Sequence, residues 1–358
     1  MALLSFTNFL STSRSCVNKI GIRSLMSKQL VYTQFGDPLK VVKIRECEVP
    51  PLGSQDVLVR MLAAPINPAD INTIQGRNLI LPKLPTVPGD EGVGEIVEIG
   101  EKVVKYPVGA RVVLATRGLG SWRFHGVFHE RALHRISKKL PLPEASMLTI
   151  SPCAAYRMIQ DFRELHPGET VVQNAANSPI GQCVIQLCKT WGLKTLNIVA
   201  NHYGYDYMKR YLLHIGGTTV CTLEEAEELT SFNTSLSRPA LALNCLGGKY
   251  EDVMLKLLDK CGSIVYYGCA YNVPHAKKYL RPDVKFYKFH YGDWCAKSNP
   301  IAKCTMLNRI TEMMVVGRVK APMFQPIELK DYVYALKNTV HCEAFATENY
   351  VFDFSLPC

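Results

Sequence analysis

Short apolar runs punctuated by Gly and Pro fill the chain from Lys28 to about Leu140: LVYTQFG, VVKIRECEVP, DVLVRMLAAPIN, GVGEIVEIG, ARVVLA and GVFHERALHRI. Runs of this length between turn residues predict a small, irregular β domain. The segment Pro143–Glu164 turns helical through Pro152–Met158. From Gly168 the pattern alternates. Strands are predicted at Thr170–Asn174, Lys194–Ala200, Thr218–Cys221, Leu241–Cys245 and Gly262–Gly268. Helices are predicted at Gly181–Trp191, Tyr205–Ile215 and Glu251–Lys260. Strand and helix in alternation make a parallel, doubly wound sheet. A helix over Lys303–Val316 and a last mixed stretch follow.

One stretch within that pattern carries chemistry. Thr170–Gln173 is apolar, Asn174–Gly181 is a small polar turn, and Val184, Ile185, Leu187 and Cys188 then recur at helical spacing. Strand, tight turn and helix point backbone N–H groups and a helix N-terminus at whatever lies above, a natural seat for a pyrophosphate. Of the three glycine positions of G-x-G-x-x-G only the last, Gly181, holds glycine. Taken alone, the turn fits a dinucleotide site or an ordinary strand–helix connection.

Composition adds bounds. With 358 residues the chain is long enough for two full cores. No run of about 18 apolar residues appears, which argues against a membrane span. The net charge of +10 is dispersed, with no basic run. It suits an anionic small ligand such as a phosphorylated cofactor or coenzyme A and does not point to nucleic acid. Part of the charge lies in the first 28 residues, where Arg14, Lys19, Arg23 and Lys28 meet no acid before Asp37. That Ser- and Thr-rich, acid-free composition reads as a mitochondrial transit peptide, the alternative being a disordered cytosolic tail. The thirteen cysteines are scattered without C-x-x-C, as expected of reduced, core-filling thiols.

The order of motifs resembles the medium-chain dehydrogenase/reductase superfamily from about Lys28 onward. The carriers are Asn67-Pro68-Ala69-Asp70, Pro88-Gly89-Asp90-Glu91-Gly92-Val93-Gly94, Val108–Val112 and Leu243–Gly248. Within it the chain is similar to the mitochondrial trans-2-enoyl-CoA (enoyl-acyl-carrier-protein) reductases. The blocks that carry this likeness are Ala63–Pro68, Asp70–Asn72, Ile74-Gln75-Gly76, Gly118–Arg123, Pro152–Met158 and Gln173–Ser178.

The resemblance implies an α/β fold, with a GroES-like β domain plus a Rossmann domain of doubly wound parallel sheet. The implied division is a transit peptide over 1–27, a GroES-like catalytic domain over 28–152 and 300–358, and a nucleotide-binding domain over 153–299. It implies NADPH as cofactor and hydride transfer to a trans-2-enoyl thioester of CoA or acyl-carrier protein. The setting is mitochondrial fatty acid synthesis in the matrix, in a homodimer. The cofactor would lie on Ser151, on Asn177, Ser178, Pro179, Ile180 and Gly181, and on Ala200, Asn201 and His202. It would also meet Tyr267, Gly268, Cys269 and Ala270, then Phe289, His290, Tyr291 and Gly292. The superfamily's zinc branch needs a His in the block that here reads Gly89-Asp90-Glu91-Gly92, so no metal is expected. Asp90 and Glu91 are expected to be turn and domain-packing residues.

The chain departs from the family at four points. The family's acid-donor tyrosine follows Ile-Gln-Gly, and Asn78 stands there. A carboxamide does not donate a proton usefully, and loss of a general acid costs about 10²–10⁴ in rate. The strand end that carries arginines for the 2′-phosphate reads Ala200-Asn201-His202. Lys209 and Arg210 on the next helix stand either toward the phosphate or on a solvated face. Pro179 removes an N–H from the phosphate turn, and His290 stands near a family tryptophan. Two alternatives therefore stay open: an impaired paralogue acting as a binding or scaffold protein, and a quinone or enal reductase of the same superfamily.

Overall fold

The computed structural model describes residues 25–78, 81–229, 237–272, 281–341 and 349–356. The expected transit segment lies outside the described residues up to residue 24. Met26 and Ser27, its expected last residues, already belong to the first strand.

That strand, β1 (Met26–Val31), pairs antiparallel with β2 (Lys43–Glu48) across α1 (Pro38–Val41). The strand β3 (Asp56–Pro65) alternates along its length, with Val57, Val59, Met61 and Ala63 buried on one face. A short helix, α2 (Pro68–Ile74), follows it. Then come β4 (Val93–Ile99), β5 (Arg111–Leu114), β6 (His125–His129) and β7 (Leu133–Arg135). Two helices, α3 (Leu142–Ser146) and α4 (Ser151–Asp161), lead into the alternating half.

That half runs β8 (Thr170–Gln173), α5 (Pro179–Thr190), β9 (Lys194–Ile198), α6 (Tyr205–His214), β10 (Thr219–Cys221) and α7 (Leu223–Glu228). It continues with β11 (Leu241–Asn244), α8 (Lys249–Leu257), β12 (Ser263–Tyr266), β13 (Lys285–Lys288), α9 (Tyr291–Lys297) and α10 (Pro300–Val315). Its six strands are all parallel, in the order β10-β9-β8-β11-β12-β13. Counted within this half, that is third, second, first, fourth, fifth, sixth: the doubly wound dinucleotide-binding order.

The chain then returns to the β domain, to the seven-stranded sheet built on β3. There β14 (Phe324–Ile327), α11 (Tyr332–His341) and β15 (Asn349–Asp353) complete the order β14-β15-β3-β4-β5-β7, with β6 paired to β3. Trp122 pins this return. It is fully buried, donates its indole N–H to the Pro65 carbonyl at 3.0 Å and meets Phe352 of β15 edge-on at 5.5 Å. A continuous core joins the two sheets. Ala63, Val93 and Val113 share it with Ala154, Ala155 and Met158 of α4 and with Val171, Val184 and Leu187.

Several elements differ from the sequence expectation for local reasons. The helix α5 begins at Pro179, two residues early, because Ser178 caps it and proline suits the first helical position. The helices α2 and α7 were not expected, although each opens on a capping box, Asn67 with Asp70 and Thr222 with Glu225. The helix α8 ends at Leu257, short of Lys260, because Leu258 turns extended. The edge strand β13 is Lys- and aromatic-rich, with no buried run to mark it.

Candidate active site and cofactor cleft

Parallel strands end on one edge, and the loops leaving that edge form the cleft. The turn after β8 is its most constrained part. Ser178 accepts the Gly181 N–H at 3.2 Å through its hydroxyl, closing the helix N-terminus. Gln173 donates to the Gly181 carbonyl at 3.0 Å and to Asn197 Oδ1 at 2.8 Å, which locks the first helical turn to β8 and β9. A Cβ on Gly181 would lie 2.6 Å from the Ala176 carbonyl oxygen and 2.7 Å from that of Ala175. The one retained glycine is therefore the one that lets helix and strand approach. The backbone N–H groups of Asn177 and Ile180 have no partner among the described residues and stand where an anion would sit.

The turn supports two predictions. Gly181→Ala is expected to weaken dinucleotide binding at least tenfold and to destabilise the fold by about 1–3 kcal/mol, because backbone atoms cannot give way. Isothermal titration and chemical denaturation read both, and unchanged affinity would remove the turn from the cofactor site. Ala175 sits at φ 49°, in the left-handed region. Ala175→Gly is expected to stabilise by about 0.5–1 kcal/mol, read as a raised Tm; a lowered Tm would mean that chain entropy outweighs this strain.

Further along the edge, Asn174 links the turn to the next strand. Its Nδ2 donates to Asn244 Oδ1 at 2.8 Å, and its Oδ1 accepts the Cys245 N–H at 2.7 Å. The residues Tyr267, Gly268, Cys269 and Ala270 follow β12. Tyr267 is buried, and burial holds its phenol well above the ordinary range. Phe289 is buried against Phe162, with ring centres 5.8 Å apart, and its N–H donates to the Tyr266 carbonyl. His290 lies on the exposed rim, its Nδ1 3.0 Å from Asp293 Oδ1. Tyr291 faces the Cys153 and Cys295 thiols, and burial raises its pKa strongly. A Cβ on Gly292 would stand 2.6 Å from Arg117 Nη1.

The 2′-corner of the cleft is plainer. His202 Nδ1 accepts the Gly204 N–H at 3.0 Å, while Asn201 is exposed. Lys209 turns to its own neighbours: its ammonium donates to Tyr205 Oη at 3.2 Å and lies 3.9 Å from Glu225 Oε2. Arg210 is exposed. No arginine fork is built around this corner by these residues.

Across the cleft, the β domain contributes a buried carboxylate cluster. Asp90 Oδ2 accepts Arg117 Nε at 2.7 Å, and its Oδ1 accepts the Gly118 N–H at 2.9 Å. Asp70 accepts the N–H groups of Asn67 and Asp90. Burial and then the neighbouring Asp90 hold the Asp70 carboxyl well above the usual range. Glu91 is buried and accepts four bonds: Asn67 Nδ2 at 3.0 Å, Thr149 N at 3.1 Å, Thr149 Oγ1 at 3.1 Å and Ile150 N at 3.0 Å. It thereby ties the β domain to the start of α4, beside buried Ser151. These acids are structural ties. Among the described residues, no three His, Cys, Asp or Glu side chains gather as a metal-ligand set, and no helix is long and apolar enough to cross a membrane.

Asn78 stands just beyond α2. Its Nδ2 donates to Thr73 Oγ1 at 2.6 Å and approaches the Ala69 carbonyl at 3.4 Å. The carboxamide is folded back on its own helix. Sequence reasoning missed Arg117, Asn174 and Asn244. The bonds given for them above span 27 to 71 residues, and the motif blocks that hold Asn174 and Asn244 do not reveal them.

Residues 53–144 match the alcohol dehydrogenase GroES-like domain family. Human mitochondrial enoyl-[acyl-carrier-protein] reductase is 38% identical over 315 residues, covering 87% of this chain and 84% of that protein. The chain belongs to the enoyl-[acyl-carrier-protein] reductase family. Two solved structures share its fold: the Etr1p/NADP/crotonyl-CoA complex and the mitochondrial 2-enoyl thioester reductase Etr1p/Etr2p heterodimer from Candida tropicalis. Each aligns with a TM-score of 0.82 at 21% identity, over 92% of this chain and 100% of the other. The reductase fold thus accounts for the two sheets and the cleft between them. Within it, the turn 177–181 and the segments 267–270 and 289–292 leave the same edge of the parallel sheet, while Asn78 belongs to the β domain.

Proposed function

We propose that the protein is an NADPH-dependent reductase of trans-2-enoyl thioesters, carried by CoA or acyl-carrier protein, in mitochondrial fatty acid synthesis. The matrix is its place of action. The kinship over 87% of the chain with the human enoyl reductase carries this reading. The preserved close approach at Gly181 and the open N–H groups of Asn177 and Ile180 support a dinucleotide in the cleft. Residues 28–152 with 300–358 form the catalytic unit in this reading, and 153–299 the nucleotide-binding unit. The edge strand β13 offers backbone groups for pairing with a second copy, as a homodimer.

Bound in the cleft, NADPH would supply the hydride for Cβ of the enoyl thioester. Negative charge then develops on the thioester oxygen, and Cα takes a proton. This chain's residues divide those tasks unevenly. The open N–H groups of Asn177 and Ile180 would hold the pyrophosphate, with Ser178 and Gly181 shaping the turn beneath it. Tyr267, Gly268 and Phe289 shape the end of the cleft that faces the reacting carbons. The Asn78 amide hydrogens point at Thr73 and Ala69, so the proton for Cα comes from water. Turnover is accordingly slow.

Purified protein mixed with NADPH and crotonyl- or hexenoyl-CoA is expected to oxidise NADPH measurably. A folded sample that binds NADPH without turnover above blank overturns this reading and leaves a binding protein on a reductase fold.

A further inference from the structure

The hydride-transfer reading leaves two thiols of the cleft without a task. Cys245 follows β11 and Cys269 follows β12, strands that pair in parallel with Asn244 opposite Tyr266. The two connections are pressed together. A Cβ on Gly268, which has φ 56°, would stand 2.7 Å from Cys245 Sγ, so only glycine fits between them. The Ala270 N–H donates to the Cys245 carbonyl at 2.7 Å. The Cys245 and Cys269 side chains lie close enough for each thiol to shift the other's titration. Cys269 is exposed and Cys245 half-buried behind it. The pair is also wired to the phosphate turn, through the bond from Cys245 N–H to Asn174 Oδ1.

We propose that Cys245 and Cys269 are a redox-active dithiol of the cofactor cleft, which takes hydrogen peroxide as oxidant and closes to an intramolecular disulfide. The proposal rests on the cleft being the NADPH seat. The interaction with Cys245 lowers the pKa of the Cys269 thiol, which makes Cys269 the attacking sulfur of the pair. Its thiolate attacks one peroxide oxygen. The O–O bond breaks, the departing oxygen leaves as water after taking a proton, and Cys269 becomes a sulfenic acid. The Cys245 sulfur then attacks the Cys269 sulfur. The S–S bond forms as the S–O bond breaks, and a second water leaves with the Cys245 proton. A dithiol reductant returns two electrons and two protons. Closure draws Cys245 toward β12 and away from Asn174, which loosens the nucleotide seat.

The test is peptide mapping of the reduced full chain after stoichiometric hydrogen peroxide. A Cys245–Cys269 linked peptide is expected, reversed by dithiothreitol, while exposed Cys261 and Cys304 stay reduced at that dose. Cys269→Ser stops the link. Cys245→Ser leaves a Cys269 sulfenic acid that dimedone tags. Saturating NADPH slows the link several-fold. Absence of the linked peptide, or oxidation of Cys269 no faster than of Cys261 and Cys304, overturns the proposal. A rate unaffected by NADPH, in protein whose Tm NADPH raises, overturns its place in the cleft. The map needs neither substrate nor turnover, so a failed reductase assay does not change its outcome.

Discussion

Asn78→Tyr is expected to raise kcat on crotonyl-CoA by about 10²-fold, the lower end of what a positioned general acid contributes. The side chain now present cannot act as that acid. Its Nδ2 is held at 2.6 Å by Thr73 Oγ1, and a carboxamide does not release a proton near neutral pH. A phenol, with a pKa of about 10, can donate to the carbon next to a developing enolate. The substitution gives up the contacts to Thr73 and Ala69, at about 0.5–1.5 kcal/mol each. Stability should therefore fall slightly while kcat rises, and KM should move little. Steady-state kinetics beside a melting curve separates the two. An unchanged kcat in folded protein would show that water or another donor already delivers the proton as fast as a tyrosine can.

Glu91→Ala is expected to cost roughly 3–5 kcal/mol in urea unfolding, since it strands the N–H groups of Thr149 and Ile150 and the Asn67 amide without their acceptor. A loss below about 1 kcal/mol would mean that water replaces the carboxylate. The pH dependence gives a second readout. Burial pushes the Glu91 carboxyl up to about 7, from an ordinary 4.5, against the four bonds it accepts. Between those values the folded chain keeps a proton that the unfolded chain has released. This contribution is fully present below about pH 4.5 and is lost as pH rises through 7. In the alanine variant that downward slope should shrink; part remains, because burial also raises Asp70.

Much of the fold was legible from local patterns. The alternation beyond Gly168 fixes strands and helices because each burial pattern has its own period. Ser178, Pro179 and Gly181 mark a helix start whatever surrounds them, although proline moves that start two residues earlier than expected. Asn67-x-x-Asp70 and Thr222-x-x-Glu225 are equally local signals, capping boxes that open the two unexpected helices. The candidate site was only partly legible. Its named residues lie on four loops, after β8, β9, β12 and β13, and at the start of α4, and the meeting of the loops depends on parallel strands ending at one edge. Lys209 stands open, on sequence alone, between a phosphate and its own helix face, and its contacts with Tyr205 and Glu225 place it on the latter.

By itself the sequence determined the two-part architecture, the family, the glycine kept at the end of the phosphate turn and the absence of tyrosine at position 78. Each follows from short-range periodicity, capping or identity at a motif position. Only the tertiary structure decided what long-range neighbours do. It turned Glu91 into the tie between β domain and α4, folded Asn78 back on Thr73, and set Cys245 against Cys269. Glu91 and the Cys245–Cys269 pair hang on burial and on contacts between residues 24 to 59 apart in the chain, while the Asn78 contact is near in sequence but depends on how the turn after α2 folds back.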